Sequence, residues 1–405
     1  MNPRLDLLHP YAFEKLRKLL AGVTPPAGKS IIALQIGEPQ HPAPQLVKDA
    51  LVAGLPGLSK YPVARGLPEL RQSIARWISR RYGAAVDPDT EVLPVAGTRE
   101  ALFAIAQTVV DPDDREALVI CPNPFYQIYE GATLLAGAKP YYINLVPSNG
   151  FRAEWHAVPE SVWKRTKMVF ACSPNNPNGR VMPLGEWKQL FELADRHGFV
   201  VVSDECYSEI YFDESSPPLG ALTAARELGR KGHANLVVMG SLSKRSNVPG
   251  LRSGFAAGSR AIMDRFALYR TYHGAAVANT VQLASIAAWE DEAHVIENRR
   301  LYREKFAAFY ERVHPVLPLA RPEAAFYYWA AAPGGDDEAW TRELYAATGV
   351  TVLPGSYLSR DAHGTNPGRG YVRMALVSTV EESVEAANRI AEFARCTLSS
   401  PSSIA

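Results

Sequence analysis

Four side-chain types with chemical potential follow apolar runs in this sequence. Asp204-Glu205-Cys206-Tyr207 follows the run at 199–203. The segment SPNNPNG, with Asn176 inside it, follows the run at 167–172. Ser241-Leu242-Ser243-Lys244-Arg245 follows the run at 235–239. Gly97-Thr98-Arg99 follows residues 91–95 and opens a helical pattern with Ala101, Leu102, Ile105 and Val109 on one face. A lysine is a nucleophile or general base once its surroundings lower its pKa. A helix opened by Gly and Thr offers free N–H groups to an anion such as phosphate. A carboxylate and an amide supply the polar contacts of such a site.

Each feature has an ordinary alternative. Asp204 can cap a turn, and Asn176 can be a turn residue, since N-P and N-G punctuate turns. A lone lysine is usually solvated, and Gly97-Thr98 can open any helix. It is their joint occurrence, in this order along the chain, that points to one crevice.

The elements that must position them are short strands alternating with helices. The runs at 117–121, 167–172, 199–203 and 235–239 are apolar throughout, as expected for strands covered on both faces. Helical stretches at 186–197 and 220–231 lie between them. Leu67, Leu70, Ile74, Trp77 and Ile78 share a helical face after Pro68. This alternation predicts a mostly parallel sheet with helices on both faces, an α/β fold. Ligands of such sheets sit outside the carboxyl ends of the strands, where all four features fall. Residues 293–314 read as a long helix with Val295, Tyr302, Phe306, Phe309 and Val313 on a stripe. It leads into a second, smaller domain. The expected division is 45–292 for the large domain, 1–44 with 293–396 for the small one, and a frayed tail at 397–405.

Composition removes other classes. Of 405 residues, 47% are hydrophobic and 21% charged, enough to bury a large core. Lys and Arg number 43 against 42 for Asp and Glu, a balance that argues against nucleic acid as a partner. No apolar stretch reaches membrane-spanning length, and the first residues lack an apolar signal core, so the expectation is a cytoplasmic protein without a membrane partner. The four cysteines form no CxxC pair and read as reduced structural thiols. The nine histidines show no metal spacing, and no metal is expected. His41 and His273 fall beside site segments, but the favoured reading of each is a satisfied surface histidine.

From Gly37 to Arg373 the sequence resembles the class I/II pyridoxal-phosphate aminotransferases of fold type I. The most specific part is Ser241-x-Ser-Lys244 followed eight residues later by Arg252. Asn176-Pro-x-Gly179, Asp204-x-x-Tyr207, Tyr61 before Gly66, and Arg373 in YVRMAL support it. The segments SLSKRSNVPGLRSGF and IGEPQHPAP look like those of the succinyldiaminopimelate aminotransferase subgroup.

The resemblance implies pyridoxal 5'-phosphate as cofactor and a role for each matching residue. Lys244 forms the Schiff base with the cofactor aldehyde and moves a proton between substrate Cα and cofactor C4′. Asp204 pairs with the pyridinium nitrogen. Asn176 and Tyr207 hydrogen-bond the phenolic oxygen. Gly97, Thr98 and Arg99 at the helix N-terminus, Ser241 and Arg252 hold the phosphate, the last able to do so bidentately. Tyr126 matches the ring-stacking aromatic, with Phe125 adjacent. Tyr61 matches a tyrosine that reaches the phosphate of the neighbouring subunit, which implies a homodimer with shared sites. Arg373 grips the substrate α-carboxylate by its planar fork, with Gly37 and Asn176 beside it. Arg99 and Arg245 have side chains near the site, and the family pattern gives them no further fixed role.

The implied activity is transamination between N-succinyl-LL-2,6-diaminopimelate and 2-oxoglutarate, on the route to lysine. Three other readings stand beside it. One is an aminotransferase for aspartate, alanine or aromatic amino acids. A second is a fold-type-I lyase using the same cofactor cage. The third is a non-catalytic binding protein built on such a domain.

Overall fold

Strand Val200–Asp204 shows why the runs are apolar on both faces. Val201 packs in one hydrophobic cluster with Trp77, Trp187 and Trp289, while Val202 packs in another with Leu102, Phe170 and Met239. In a strand, successive side chains point to opposite faces, so a sheet covered twice needs apolar residues at every position. Leu236 and Val238 face the first cluster in the same way, and Val237 and Met239 face the second. The computed structural model describes residues 1–398.

The central sheet has seven strands. In spatial order they are Val92–Val95, Gly254–Gly258, Leu236–Ser241, Val200–Asp204, Thr166–Cys172, Leu118–Asn123 and Lys139–Asn144. All run in one direction except Gly254–Gly258, which is antiparallel to both neighbours. The sheet is thus mostly parallel, as expected, and the apolar runs read as strands at 117–121, 167–172, 199–203 and 235–239 are all in it. Gly254–Gly258 and Lys139–Asn144 were not read. The first is Gly- and Ala-rich and carries little apolar signal. Its residues are small for a reason: a Cβ on Gly254 would lie 2.5 Å from the Gly240 carbonyl oxygen.

The helix expected at 220–231 is shorter, Ala221–Glu227. Gly229 and Gly232 follow with positive φ, and His233 and Asn235 are left-handed, so the chain turns back into the sheet there. The helix after Pro68 runs Pro68–Tyr82, and the long helix runs Ala293–Val313.

A second hydrophobic cluster centre lies around a three-stranded antiparallel sheet in the order Leu353–Pro354, Tyr371–Ala375, Tyr327–Ala331. Helices Ala293–Val313 and Val380–Leu398 pack against each other beside it. The N-terminal segment joins this part of the chain, because Ile32–Ala33 pairs in parallel with Val350–Thr351. Thr397 and Leu398 end the last helix rather than beginning a tail, and the rest of that segment lies outside the described residues. Among the described residues no helix is long and apolar enough to cross a membrane.

The antiparallel strand yields a test. Gly254→Ala should force the strands at 236–241 and 254–258 apart and cost about 2 kcal/mol of stability. Denaturant unfolding measures this, and an unchanged midpoint would contradict the packing described.

Candidate active site

Five strand ends and the three-stranded sheet meet at one cavity of about 350 Å³. Its lining includes Gly37, Thr98, Arg99, Tyr126, Asn176, Asp204, Tyr207, Ser241, Lys244, Arg252 and Arg373. The sequence-predicted groups are therefore brought together, with Tyr61 and Gly97 the exceptions. Tyr61 is fully solvent-exposed and does not line this cavity.

Asp204 ends its strand and is buried. Its Oδ2 accepts from the Tyr129 hydroxyl at 2.6 Å and its Oδ1 from the Cys206 N–H at 3.3 Å. Burial pushes its carboxyl pKa up, and these two bonds, with a third from the Cys206 thiol, pull it partly back. Among the described residues no Lys, Arg or His forms an ion pair with it.

Lys244 sits on a single helical turn, Leu242–Arg245, directly after strand Leu236–Ser241. Ser241 caps the turn by accepting from the Ser243 N–H at 3.1 Å. The Lys244 amine donates to the Gly37 carbonyl at 2.5 Å. Burial holds its pKa down at about 8. Cys206 and Glu38 oppose that shift, whereas the positive charges of Arg373 and Arg252 add to it.

A cup of donors stands at one wall. Helix Thr98–Val109 opens after Gly97, whose φ is +81°. Its first amides have no intrahelical partner. The Arg252 guanidinium lies so close to Gly97 that a Cβ there would be 2.2 Å from Nη2. Gly97 thus shapes the wall rather than lining the cavity. Ser241 Oγ donates to Ser243 Oγ at 2.9 Å, and Thr98 Oγ1 lies 2.9 Å from Cys206 Sγ. Hydroxyls, amides and a guanidinium together make an anion site.

The opposite wall holds Arg373, which is buried on strand Tyr371–Ala375. Its Nη1 donates to Asn176 Oδ1 at 2.9 Å and its Nη2 to the Gln35 carbonyl at 2.8 Å. Its guanidinium stands 4.5 Å over the Tyr327 ring. The Tyr207 and Tyr327 hydroxyls are 2.9 Å apart. Gly37 fits because a Cβ would strike the Tyr327 hydroxyl at 2.1 Å.

Tyr126 and Phe125 both touch the cavity, but differently. Phe125 is stacked on Tyr142 at 5.4 Å with Arg360 over its ring. The Tyr126 ring stands edge-on to Tyr129, and its hydroxyl accepts from Arg99 Nε at 2.6 Å. Tyr126 is the freer of the two to stack on a flat ligand.

Two expectations from sequence are corrected. Arg245 does not approach the site: it is buried between Trp77 and Trp289 and donates to the Ala288 carbonyl and to Glu292. Adjacent positions on a helical turn point about 100° apart, so Lys244 and Arg245 diverge. His41 and His273 do not line the cavity, in agreement with the favoured reading of each as an ordinary histidine. His41 is half-buried against Asn298 and Tyr302, and His273 is exposed, 4.0 Å from Glu100. Cys206, read as structural, lines the cavity instead.

Tyr129, Tyr327 and Ser243 were missed. Tyr129 lies three residues after Tyr126 in PNPFYQIY, and Tyr327 lies in the apolar run FYYWAAA. In both cases the tyrosine hydroxyl is the only signal, and it resembles that of any core tyrosine. Among the described residues no group of His, Cys, Asp or Glu is arranged to hold a metal ion.

The aminotransferase class I and II family profile matches residues 29–390. LL-diaminopimelate aminotransferase of Dehalococcoides mccartyi is 32% identical over 97% of this chain and 98% of its own. A solved aminotransferase of Neisseria meningitidis is 52% identical, with a TM-score of 0.94 over 97% of this chain and all of that one. A probable N-succinyldiaminopimelate aminotransferase of Thermus thermophilus is 30% identical, with a TM-score of 0.81 over 94% of this chain and 98% of that one.

The lowered Lys244 pKa can be tested directly. Competitive acetylation of the cofactor-free protein across pH, with peptide mapping, should titrate Lys244 with a midpoint of about 8. The amine loses its proton, and becomes reactive, well below the pH at which exposed lysines do. A midpoint in the ordinary lysine range would mean that the cavity does not desolvate the amine.

Proposed function

The chain belongs to the class I and II aminotransferases, which use pyridoxal 5'-phosphate, and within that family we propose transamination of N-succinyl-LL-2,6-diaminopimelate with 2-oxoglutarate. The observation that carries the reading is the single cavity holding Lys244, Asp204 and Arg373. The residues present suit the cofactor. Asp204 is a buried carboxylate without a cationic partner, which suits a protonated pyridine nitrogen. The cup of Thr98, Ser241, Ser243 and Arg252 beside a helix N-terminus suits its phosphate.

When bound, the cofactor supplies an electron sink for the substrate Cα carbanion. The remaining roles belong to this chain. Lys244, with its pKa held low, takes a proton from the substrate Cα and returns one during the exchange. Asp204 keeps a positive charge on the facing ring nitrogen. Asn176 and Tyr207 hold the ring oxygen, and Tyr126 stacks on the ring with Cys206 on the cavity wall. Arg373 receives the α-carboxylate, with Asn176 and Gly37 shaping its pocket. Arg99, Gly97 and Thr98 complete the phosphate end.

The substrate follows from SLSKRSNVPGLRSGF and IGEPQHPAP and from the likeness to the Thermus thermophilus protein. The names of the 31–34% identical relatives favour LL-diaminopimelate itself as the second reading. Either places the enzyme in lysine biosynthesis, in the cytoplasm.

The homodimer is part of the proposal. Val52, Leu55, Leu58, Tyr61 and Val63 form an exposed apolar stretch, and Leu268, Tyr272 and Leu283 are exposed as well. Such a surface suits a second copy, whose phosphate site Tyr61 completes. The domain division at 45–292 against 1–44 with 293–396 belongs to the same reading.

Borohydride reduction of the holoenzyme and peptide mapping should place the cofactor on Lys244. Label on another lysine would remove the assignment. Glutamate should convert the bound cofactor to its amine form, and the succinylated keto acceptor should convert it back. Aspartate, alanine and phenylalanine should be much poorer donors, because a polar site rejects analogues that leave its groups unpaired. Faster turnover of unsuccinylated LL-diaminopimelate would select the second reading. Arg373→Lys should weaken all amino acids together, since an ammonium cannot reproduce the planar fork.

The dimer has its own check. Mixing an inactive Tyr61 variant with an inactive Lys244 variant should restore part of the activity through hybrid dimers. An active enzyme that sediments as a monomer would refute the shared site.

A further inference from the structure

Behind Lys244 one buried carboxamide joins three segments. Asn298 lies on helix Ala293–Val313 and is 2% exposed. It falls between Val295 and Tyr302 on the buried stripe of that helix, where an apolar residue would be expected. Its Nδ2 donates to the Lys244 carbonyl at 3.4 Å. Its Oδ1 accepts from Asn247 Nδ2 at 2.9 Å and meets His41 Nδ1 at 2.7 Å. An amide oxygen only accepts, so His41 donates from Nδ1. Burial and the positive charge of Lys305 hold the His41 pKa down, which favours that neutral form.

His41 belongs to the strap at 35–41. The strap presents the Gly37 carbonyl to the Lys244 amine and the Gln35 carbonyl to Arg373. Its far end is fixed by the Gln40 N–H on the Val377 carbonyl at 3.3 Å, which also accepts from Lys305 at 3.3 Å. The strap is therefore held by Val377 on one side and by Asn298 on the other.

We infer that Asn298 is a positioning residue: its carboxamide ties the strap at His41 to the turn at Lys244 and Asn247, and so sets how the Lys244 amine meets the Gly37 carbonyl. Both lone pairs of its oxygen are used, and one N–H holds the lysine backbone. An aliphatic residue of similar size would fill the space and make none of these ties. The inference rests on the proposed role of Lys244 for the purpose that this alignment serves.

The test uses Asn298→Leu, His41→Leu and the double variant, each as holoenzyme. Three quantities are read: the pH midpoint of the visible band of the lysine-bound cofactor, kcat and KM for the glutamate half-reaction, and the melting temperature. Cys206, Glu38, Arg373 and Arg252 surround the Lys244 amine and none is substituted, so a moved midpoint reports a changed placement of Lys244 against the strap that carries Gly37 and Glu38. Asn298→Leu should shift the midpoint by on the order of half a unit. It should also lower kcat about tenfold or more, as small misplacements of reacting groups do. His41→Leu cuts the same tie from the strap side and should move both quantities in the same direction. The double variant should be no worse than Asn298→Leu alone, because both changes remove one linkage. If Asn298→Leu fails to fold, His41→Leu still carries the test.

A lowered melting temperature with unmoved midpoint and kcat would overturn the inference, as would effects that simply add. A wild-type enzyme whose cofactor is not on Lys244 would instead defeat the functional reading, and this inference with it.

Discussion

The site is built on a buried carboxyl group that meets only neutral partners among the described residues. Asp204 lies at the end of a central strand with the Tyr129 hydroxyl, the Cys206 N–H and the Cys206 thiol for company. Removing a carboxylate from water costs several kcal/mol unless a cation or enough donors replace the water. Neutral donors offset that cost only in part, so burial keeps the carboxyl pKa raised at that point. The parallel sheet makes this possible, because strand ends converge there and helix Ile128–Ala136 brings Tyr129 against Phe170, rings 4.5 Å apart. Burial that would be a defect elsewhere leaves here a carboxyl group suited to a cationic partner.

Around that fixed charge the remaining groups come from different parts of the fold. Lys244 and the anion cup stand on the central sheet. Arg373 and Tyr327 stand on the three-stranded sheet. The strap at 35–41 reaches both, with Gly37 on Lys244 and Gln35 on Arg373. Two hydrophobic regions thus share one polar boundary, and the boundary is where the chemistry sits.

Much of this was legible in the sequence, for identifiable reasons. Strands covered on both faces leave continuous apolar runs, and the residue after each run falls at the site. That logic found Asp204, Asn176, Lys244 and Gly97. It missed Gly254–Gly258, because a strand pressed against Gly240 must be made of small residues and reads as a turn. It placed Arg245 near the site because adjacency in sequence does not reveal direction on a helical turn. It passed over Tyr129, Tyr327 and Asn298 because their importance lies in partners 75, 120 and 54 residues away. Tyr61 is a different case: the sequence reading put it at a shared site, and in the single chain it is fully exposed.

The partners of Arg373 have a consequence for how an anion meets it. The guanidinium is already held by the Asn176 amide and the Gln35 carbonyl, and its Nε is buried without a partner. Each of the two contacts uses one N–H, so among the described residues three of the five guanidinium donors, Nε among them, are left over. The protein thus fixes the plane of the guanidinium without using up its fork. The direction from which any anion can approach is set before one arrives.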